Sequence, residues 1–340
     1  MSLLPADTSP QDVLPPAPSP RRRLISSLKW LLLAAVLGLV GRALCQQLAL
    51  IDLATLRVRP LALLGAVAAL LVVPLVQLVS YRLMLGAYAH APPWGALAAA
   101  AWIPMLGKYV PGKLASFAGA VYLLRKFHIP GAIALSVVLA LDGMMIVTGL
   151  IVGAPLLLWP AVQQILPLGW LWCILLIAAG LVCLHPQIYG RIINYALRKL
   201  RRQPLDHMPP LRVYGWPVIC CFVQWIAVGL TLWLLGLSVA QVSPGRLPLL
   251  IGIGGLAYTV SYLVLFAPGG VGVREAIFLS ALKNVVAPAP AAAIVVVAMR
   301  VVQILVELLI ALLGMLILRM VTARAAQDGR DGLLASNTTR

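Results

Sequence analysis

The chain has 340 residues, of which 62% are apolar and 10% are charged, and its mean hydropathy is +1.01. Soluble domains carry roughly 25% charged residues, and several apolar runs here exceed the roughly 18 residues that cross a bilayer. The composition therefore excludes a soluble globular protein and predicts an all-α, polytopic membrane protein. The net charge of +17 does not indicate nucleic-acid binding, because the basic residues lie mainly in short loops beside apolar spans.

The N-terminal part is predicted to be a tail followed by a first membrane span. Residues 1–23 are rich in proline and lack apolar periodicity, which is typical of a disordered cytoplasmic tail. Four basic residues between positions 21 and 29 precede an apolar run at about 30–50. Arg42 inside that run, with no clear small-x-small motif, favours an uncleaved anchor over a cleaved signal peptide.

A second span is predicted at about 61–85, and an interrupted apolar segment follows it at 94–124. Pro104 and the pair Pro111-Gly112 break this segment. The part after the second break has only about 13 residues, whereas a helix needs roughly 20 to cross about 30 Å of hydrocarbon. The segment therefore predicts a re-entrant pair of half-helices rather than two full spans.

The rest of the chain repeats this pattern of spans and one interruption. Further full spans are predicted at about 131–153, 169–184, 213–238 and 291–318, which makes about six in all. A second interrupted segment at 247–283 is broken at Pro268, Gly269 and Gly270. The basic amphipathic stretch 186–212 predicts a helix on the inner membrane surface, and 321–340 is predicted to be a disordered cytoplasmic tail.

The distribution of basic residues predicts the topology. With both termini in the cytoplasm, 17 of the 26 Lys and Arg residues fall on the inner side and five on the outer side, as the positive-inside rule requires. The two interrupted segments then open from opposite faces. The order span, interrupted segment, span thus occurs at about 61–153 and, inverted, at about 213–318, which predicts the inverted repeat of many transporters.

The proline-glycine breaks predict where an anion binds. A broken helix frees backbone groups that hydrocarbon cannot satisfy, and the following half-helix points its positive N-terminus at the same place. Close helix packing is the alternative interpretation of the glycines. The predicted binding residues around both breaks and on the last span are Lys108, Pro111, Gly112, Lys113, Pro268, Gly269, Gly270, Gly272, Arg274, Glu275, Arg300 and Gln303.

Ionisable residues at membrane depth are costly and usually face a cavity or a partner. Four cations against three acids predict a positive cavity, in which Lys108, Lys113, Arg274 and Arg300 contact an anion. Glu275 and Glu307 would balance this charge or couple protons, and their alternative interpretation is a structural ion pair that holds the repeats together. Asp142 is either a proton-coupling carboxylate or the partner of a cation, and the sequence leaves that choice open.

Other residue patterns argue against catalysis and metal binding. The four His and five Cys residues lack metal-ligand spacing, and no P-loop, HExxH or GxSxG motif is present. We therefore predict no catalytic residue, no metal and no cofactor. Tyr109, Tyr258, Tyr262 and Gln224 are candidates to line the cavity, but interfacial or packing roles are favoured for them.

Three stretches together resemble a known family. "LGKYVPGKLASFAGAVYLLRKFHIP", "APGGVGVREAIF" and "MRVVQILVE", with Asp142 on the span between the first two, are similar to the flippase-like membrane region of lysylphosphatidylglycerol synthases. The similarity covers nearly the whole chain and implies one transmembrane domain at 24–320. It marks the following positions: Pro111, Gly112, Lys113, Arg125, Pro268, Gly269, Gly270, Gly272, Arg274, Glu275 and Arg300. The chain departs from the family in "KLASFAG", where a Glu-Arg pattern is frequent, and in Asp142, where Glu is usual.

The resemblance implies a bacterial inner-membrane protein without an aminoacyl-transferring domain. The expected function is movement of an anionic phospholipid, or of a lipid-linked glycan or terpenoid, between leaflets. Membrane lipids with anionic headgroups are the expected ligands, and enzymes of lipid biosynthesis are candidate partners. Two alternatives stay open: an intramembrane lipid-phosphate transferase with Asp142 as base, and a non-transporting scaffold of a lipid-synthesis complex.

Overall fold

The computed structural model describes residues 58–109, 114–164, 167–199, 204, 211–264 and 272–338. Within these ranges the chain is helical and contains no β-strand, which confirms the predicted all-α class. The predicted tail at 1–23 and the first span at about 30–50 lie outside the described residues. The central residues of both proline-glycine breaks lie outside them as well.

Ten helices of at least nine residues occur in the described ranges. They are α1 (Pro60–Gly86), α2 (Trp94–Trp102), α3 (Leu114–Lys126), α4 (Gly131–Gly153), α5 (Gly169–Cys183), α6 (Pro186–Lys199), α7 (Leu211–Val239), α8 (Leu247–Leu263), α9 (Val273–Leu282) and α10 (Ala289–Thr338). Short 3-10 segments extend α2 over Ile103–Tyr109 and α4 over Ala154–Leu158, and another at Pro244–Arg246 leads into α8.

Five helical segments of the described chain are long and apolar enough to cross a membrane, namely Pro60–Gly86, Gly131–Leu158, Val213–Val239, Pro244–Leu263 and Pro290–Ala323. The expected full span at 169–184 is instead the 15-residue α5, which reaches about 22 Å, short of the roughly 30 Å of hydrocarbon. It meets α6 at a bend of 74°, and only the bent pair together brings the count to six. The structure therefore confirms a polytopic protein with five to six described spans.

The packing of the helices pairs the two predicted repeats. Helix α1 packs along α7, so the first spans of the two repeats lie side by side. Helix α4 packs against α8, and α10 packs against α2, so the last span of each repeat contacts the interrupted segment of the other. An internal two-fold axis would produce such reciprocal contacts. The inverted repeat and the re-entrant course of the interrupted segments stay predictions.

Glycines allow α4 and α8 to approach closely. A Cβ atom added at Gly255 of α8 would collide with the Val152 side chain and lie 2.9 Å from the Gly149 carbonyl oxygen of α4. A Cβ atom at Gly149 would likewise collide with the Thr259 hydroxyl. Small residues commonly permit such close packing between membrane helices. This contact holds the last span of the first repeat against the second interrupted segment.

Helix α6 has the amphipathic character that the sequence predicts. It buries Tyr189, Ile193 and Leu197 along one face, and it exposes Arg191 and Arg198 on the other. The Tyr189 hydroxyl donates a hydrogen bond of 2.6 Å to the carbonyl oxygen of Ala140, which ties α6 to α4.

The C-terminal region differs from its prediction. Helix α10 continues from Ala289 to Thr338, so the segment from 321, which the sequence predicts to be disordered, is helical up to that residue. No proline interrupts residues 321–338, and its Ala, Arg, Gln and Leu residues have high helix propensity. The helix can therefore extend from the preceding span without a new nucleation step.

Candidate functional site

A cavity of about 240 Å³ lies among the helices of the bundle. Its wall combines residues of α1, α2, the 3-10 segment after α2, α3, α4, α7, α8 and α9. Three charged residues contribute to this wall: Lys108, Asp142 and Arg274. The other polar residues of the wall are Gln77, Tyr81, Ser116, Gln224, Tyr258, Thr259, Ser261 and Tyr262. The remaining lining is apolar, so the charges stand in otherwise hydrophobic surroundings.

Lys108 connects the first interrupted segment to the last span. It lies on the 3-10 segment where Pro104 ends the regular helix, and its Nζ donates to Glu307 Oε1 of α10 at 2.5 Å. The Lys108 side chain is 27% exposed and that of Glu307 is 5% exposed. The Gln303 amide also donates to Glu307, and the Tyr258 hydroxyl donates to Gln303 at 3.0 Å.

Glu275 gathers two arginines at the start of α9. The Glu275 carboxylate lies 3.6 Å from the Arg274 guanidinium and 3.3 Å from that of Arg300. Gly272, which precedes the helix with a φ of 88°, donates its backbone N–H to Glu275 at 2.7 Å. The Arg274 guanidinium also lies over the Tyr258 ring, 4.5 Å from the ring centroid. These seven residues (Lys108, Tyr258, Arg274, Glu275, Arg300, Gln303 and Glu307) are named the ion-pair cluster.

Asp142 occupies a different part of the cavity wall. It lies on α4, and its Oδ2 accepts a hydrogen bond of 2.8 Å from the Tyr262 hydroxyl of α8. Tyr81, Gln77 and Gln224 line the same cavity. Gln224 is 2% exposed, although it lies in a membrane-spanning helix. We name Gln77, Tyr81, Asp142, Gln224 and Tyr262 the Asp142 group.

The structure brings together most of the described residues that the sequence singles out. Lys108, Gln303 and Glu307 form one group of contacts, and Arg274, Glu275 and Arg300 form another. Tyr258 connects the two groups, although their residues come from the first interrupted segment, α9 and α10. Gly272 lies beside them as the N-terminal cap of α9. Pro111, Gly112, Lys113, Pro268, Gly269 and Gly270 lie outside the described residues.

The described ion-pair cluster keeps an excess of one positive charge. Arg274 and Arg300 share Glu275, while Lys108 pairs with Glu307. The predicted ratio of four cations to three acids also counts Lys113, which lies outside the described residues, and Asp142, which lies elsewhere in the cavity wall. An incoming anion would still have to compete with the two carboxylates for these cations.

Three residues interpreted as packing groups line the cavity instead. They are Gln224, Tyr258 and Tyr262. Tyr258 also packs edge-on against Trp225 and Phe278, so for this residue packing and cavity lining occur together. Gln77 and Ser116 were not singled out at all. A lone amide in an apolar span such as α1 was the available signal for Gln77, since polar groups in a bilayer usually face a cavity or a partner.

One family comparison is informative. The family described as "Lysylphosphatidylglycerol synthase TM region" matches residues 23–318 of the chain. The match spans most of the chain and includes both interrupted segments and the last span. No curated protein matches the sequence.

Proposed function

Because the chain belongs to the lysylphosphatidylglycerol synthase TM-region family, we propose that it moves an anionic lipid between the two leaflets of a bacterial inner membrane. The substrate is an anionic phospholipid, or a glycan or terpenoid carried on a lipid phosphate. The termini face the cytoplasm, as the distribution of basic residues indicates.

The observation that carries this proposal is the position of two cations in one cavity wall. Lys108 comes from the first interrupted segment and Arg274 from the second, and both line the cavity. Arg274 is only 4% exposed. Cations in such surroundings are expensive unless they are paired, as both are here, and they usually mark a pathway or a ligand site. An arginine fork and a lysine ammonium are suited to a phosphate that has left the aqueous phase.

The ion-pair cluster supplies a way to release and re-form these contacts. Without lipid, Glu307 pairs with Lys108, and Arg274 and Arg300 share Glu275. A lipid phosphate that binds the Lys108 ammonium group displaces Glu307 from it. The contact between the first interrupted segment and α10 is then weaker. Headgroup entry would therefore loosen the contact between the repeats, and headgroup exit would restore it. The two interrupted segments would open the cavity alternately to the two sides.

Reconstitution into liposomes tests the proposal. Acyl-labelled phosphatidylglycerol is placed in both leaflets, and accessibility of the label to a membrane-impermeant quencher reports exchange. We expect Arg274→Gln and Arg300→Gln to slow exchange about tenfold or more, because hydrogen bonds to charged groups contribute roughly 1.5–3 kcal/mol.

Two exposed basic residues provide matched controls. Arg246→Gln and Lys283→Gln remove the same charge outside the cavity wall, where both residues are exposed, and they should exchange lipid at the wild-type rate. Wild-type exchange by both Arg274→Gln and Arg300→Gln would refute the headgroup assignment. Lipid exchange no faster than in protein-free liposomes would refute transport itself.

A further inference from the structure

The exposed surface of helix α6 is divided into two stripes. Ile192 and Tyr195, three residues apart, expose apolar side chains on one side. Arg191 and Arg198, seven residues apart, are exposed on the neighbouring side. Residues at these spacings share one face of a helix, so an apolar stripe and a basic stripe run side by side, away from the face that packs on α4. This division is typical of a helix that lies at a membrane surface.

The bend between α5 and α6 supports the same orientation independently of composition. Helix α5 exposes large apolar side chains on several sides, among them Trp170, Trp172, Ile174 and Leu181, as a helix surrounded by hydrocarbon does. The chain then turns by 74° into α6. With α5 directed across the bilayer, α6 lies close to the membrane plane, and its apolar stripe reaches the boundary of the acyl chains.

The charge of α6 complements an anionic surface. Helix α6 contains no Asp or Glu, and residues 191–202 include five Lys and Arg residues. On the predicted topology this segment faces the cytoplasmic leaflet. Each basic residue near an anionic lipid surface strengthens binding about fivefold. A zwitterionic surface would contact the apolar stripe equally well but would lack this attraction.

Tyr189 links α6 to the turn of α4 that carries Asp142. The Tyr189 hydroxyl donates to the Ala140 carbonyl oxygen, and a Cβ atom added at Gly143 would collide with the same hydroxyl. The Tyr189 ring also packs edge-on against Tyr214 of α7, with 5.7 Å between the ring centroids. Ala140 and Gly143 lie on either side of Asp142 in the chain. A displacement of α6 would therefore move the Asp142 carboxylate relative to α8.

We propose that α6 binds the anionic headgroups of the cytoplasmic leaflet and that Tyr189 transmits this contact to the Asp142 group. The occupant of the exposed face is the bilayer surface, not a lipid inside the cavity. Anionic lipid holds α6 in place, and α6 in turn fixes the α4 turn at Asp142. This inference goes beyond the proposed function and does not require the protein to move lipid.

Hydrogen exchange of α6 tests the lipid contact. The full-length chain is placed in nanodiscs of phosphatidylcholine, with or without phosphatidylserine, and mass spectrometry follows the amides of residues 186–199. We expect exchange to be at least about fivefold slower with phosphatidylserine. Arg191→Gln combined with Arg198→Gln should remove most of this difference. The matched control, Arg246→Gln combined with Lys283→Gln at exposed cations elsewhere, should retain it.

Carbodiimide labelling of Asp142 tests the transmission. A membrane-permeant carbodiimide modifies buried carboxyl groups, and peptides that contain Glu307 serve as the internal reference. We expect Asp142 to be labelled about two- to fivefold more slowly with phosphatidylserine, since α6 can bias α4 by no more than its own gain in binding. Tyr189→Phe keeps the ring and removes the hydrogen bond to Ala140. This variant should keep the slower exchange of α6 and lose the difference in Asp142 labelling.

The outcomes separate this inference from its alternatives. Equally slow exchange of residues 186–199 in both nanodiscs would mean that the apolar stripe alone holds α6, and it would overturn charge recognition. Equally fast exchange in both would leave the face to another occupant, such as an acidic protein, and would overturn it too.

Two results would overturn the transmission step. One is an unchanged lipid dependence of Asp142 labelling in Tyr189→Phe. The other is the wild-type dependence in the Arg191→Gln, Arg198→Gln variant, which would assign the effect to lipid inside the cavity. Absence of lipid exchange in liposomes would refute the proposed function and leave the contact of α6 with anionic lipid standing.

Discussion

The ion pair between Lys108 and Glu307 can be tested by removing each partner singly and both together. Lys108 Nζ and Glu307 Oε1 lie 2.5 Å apart, and the pair joins the first interrupted segment to α10. Lys108→Met keeps most of the side-chain length without its charge, and Glu307→Gln keeps the shape of the carboxylate. The double variant replaces the charged pair by a neutral one of similar volume.

The burial of the pair sets the expected loss of unfolding free energy in each variant. Removing one partner of a buried pair leaves an uncompensated charge, which costs roughly 3–5 kcal/mol. The Lys108 side chain is 27% exposed, so the lower value, about 3 kcal/mol, is expected for each single variant. The double variant leaves no orphaned charge and should cost no more than one single variant. The coupling free energy is then about 3 kcal/mol or more.

Thermal unfolding in detergent measures these effects. Cys173 and Cys221 are buried, so a thiol-reactive fluorophore reports their exposure as the protein unfolds. A loss of about 3 kcal/mol should lower the unfolding temperature by about 6 °C, taking 2 °C per kcal/mol for a large chain. Arg246→Ala, at an exposed cation, should leave the unfolding temperature unchanged.

Additive effects of the two single variants on the unfolding temperature would refute the proposed ion pair. If the double variant unfolds at a temperature lowered by the sum of the two single shifts, Lys108 and Glu307 do not interact in the protein. The proposed link between headgroup entry and the loosening of the repeats would then lose its basis, although the cavity itself would not be affected.

Two further predictions concern glycines. Gly255→Ala should lower the unfolding temperature, with a loss of about 1–3 kcal/mol in unfolding free energy, because its Cβ atom would collide with Val152. The control Gly215→Ala, where nothing lies within 4 Å of the added Cβ atom, should raise the unfolding temperature slightly. Equal shifts for the two variants would contradict the α4–α8 packing. Gly272→Ala should lower the unfolding free energy by about 1–3 kcal/mol, because the glycine has a φ of 88°. The variant should also slow lipid exchange in liposomes by displacing Glu275. An unchanged unfolding temperature would argue against the observed cap.

Much of the candidate site could be predicted from local sequence. A charged residue inside an apolar span is improbable without a partner, so Lys108, Asp142, Arg274, Glu275, Arg300 and Glu307 were identifiable individually. The order of breaks and spans also predicted that the first interrupted segment and the end of the chain belong to related repeats. Sequence could not assign partners, because Lys108 and Glu307 are 199 residues apart and Asp142 and Tyr262 are 120 apart.

The sequence by itself determined that the chain is a bundle of membrane helices with interruptions at proline and glycine. Hydrocarbon accepts only backbones whose hydrogen bonds are satisfied internally, so long apolar runs must be helical. Only the tertiary structure decided which helix faces turn inward. Lipid tails are as apolar as a protein interior, so the hydrophobic pattern of α8 does not distinguish its cavity face from its other faces. The packing of α4, α7 and α8 placed Tyr258, Tyr262 and Gln224 around the cavity, and it gave Asp142 its phenolic partner.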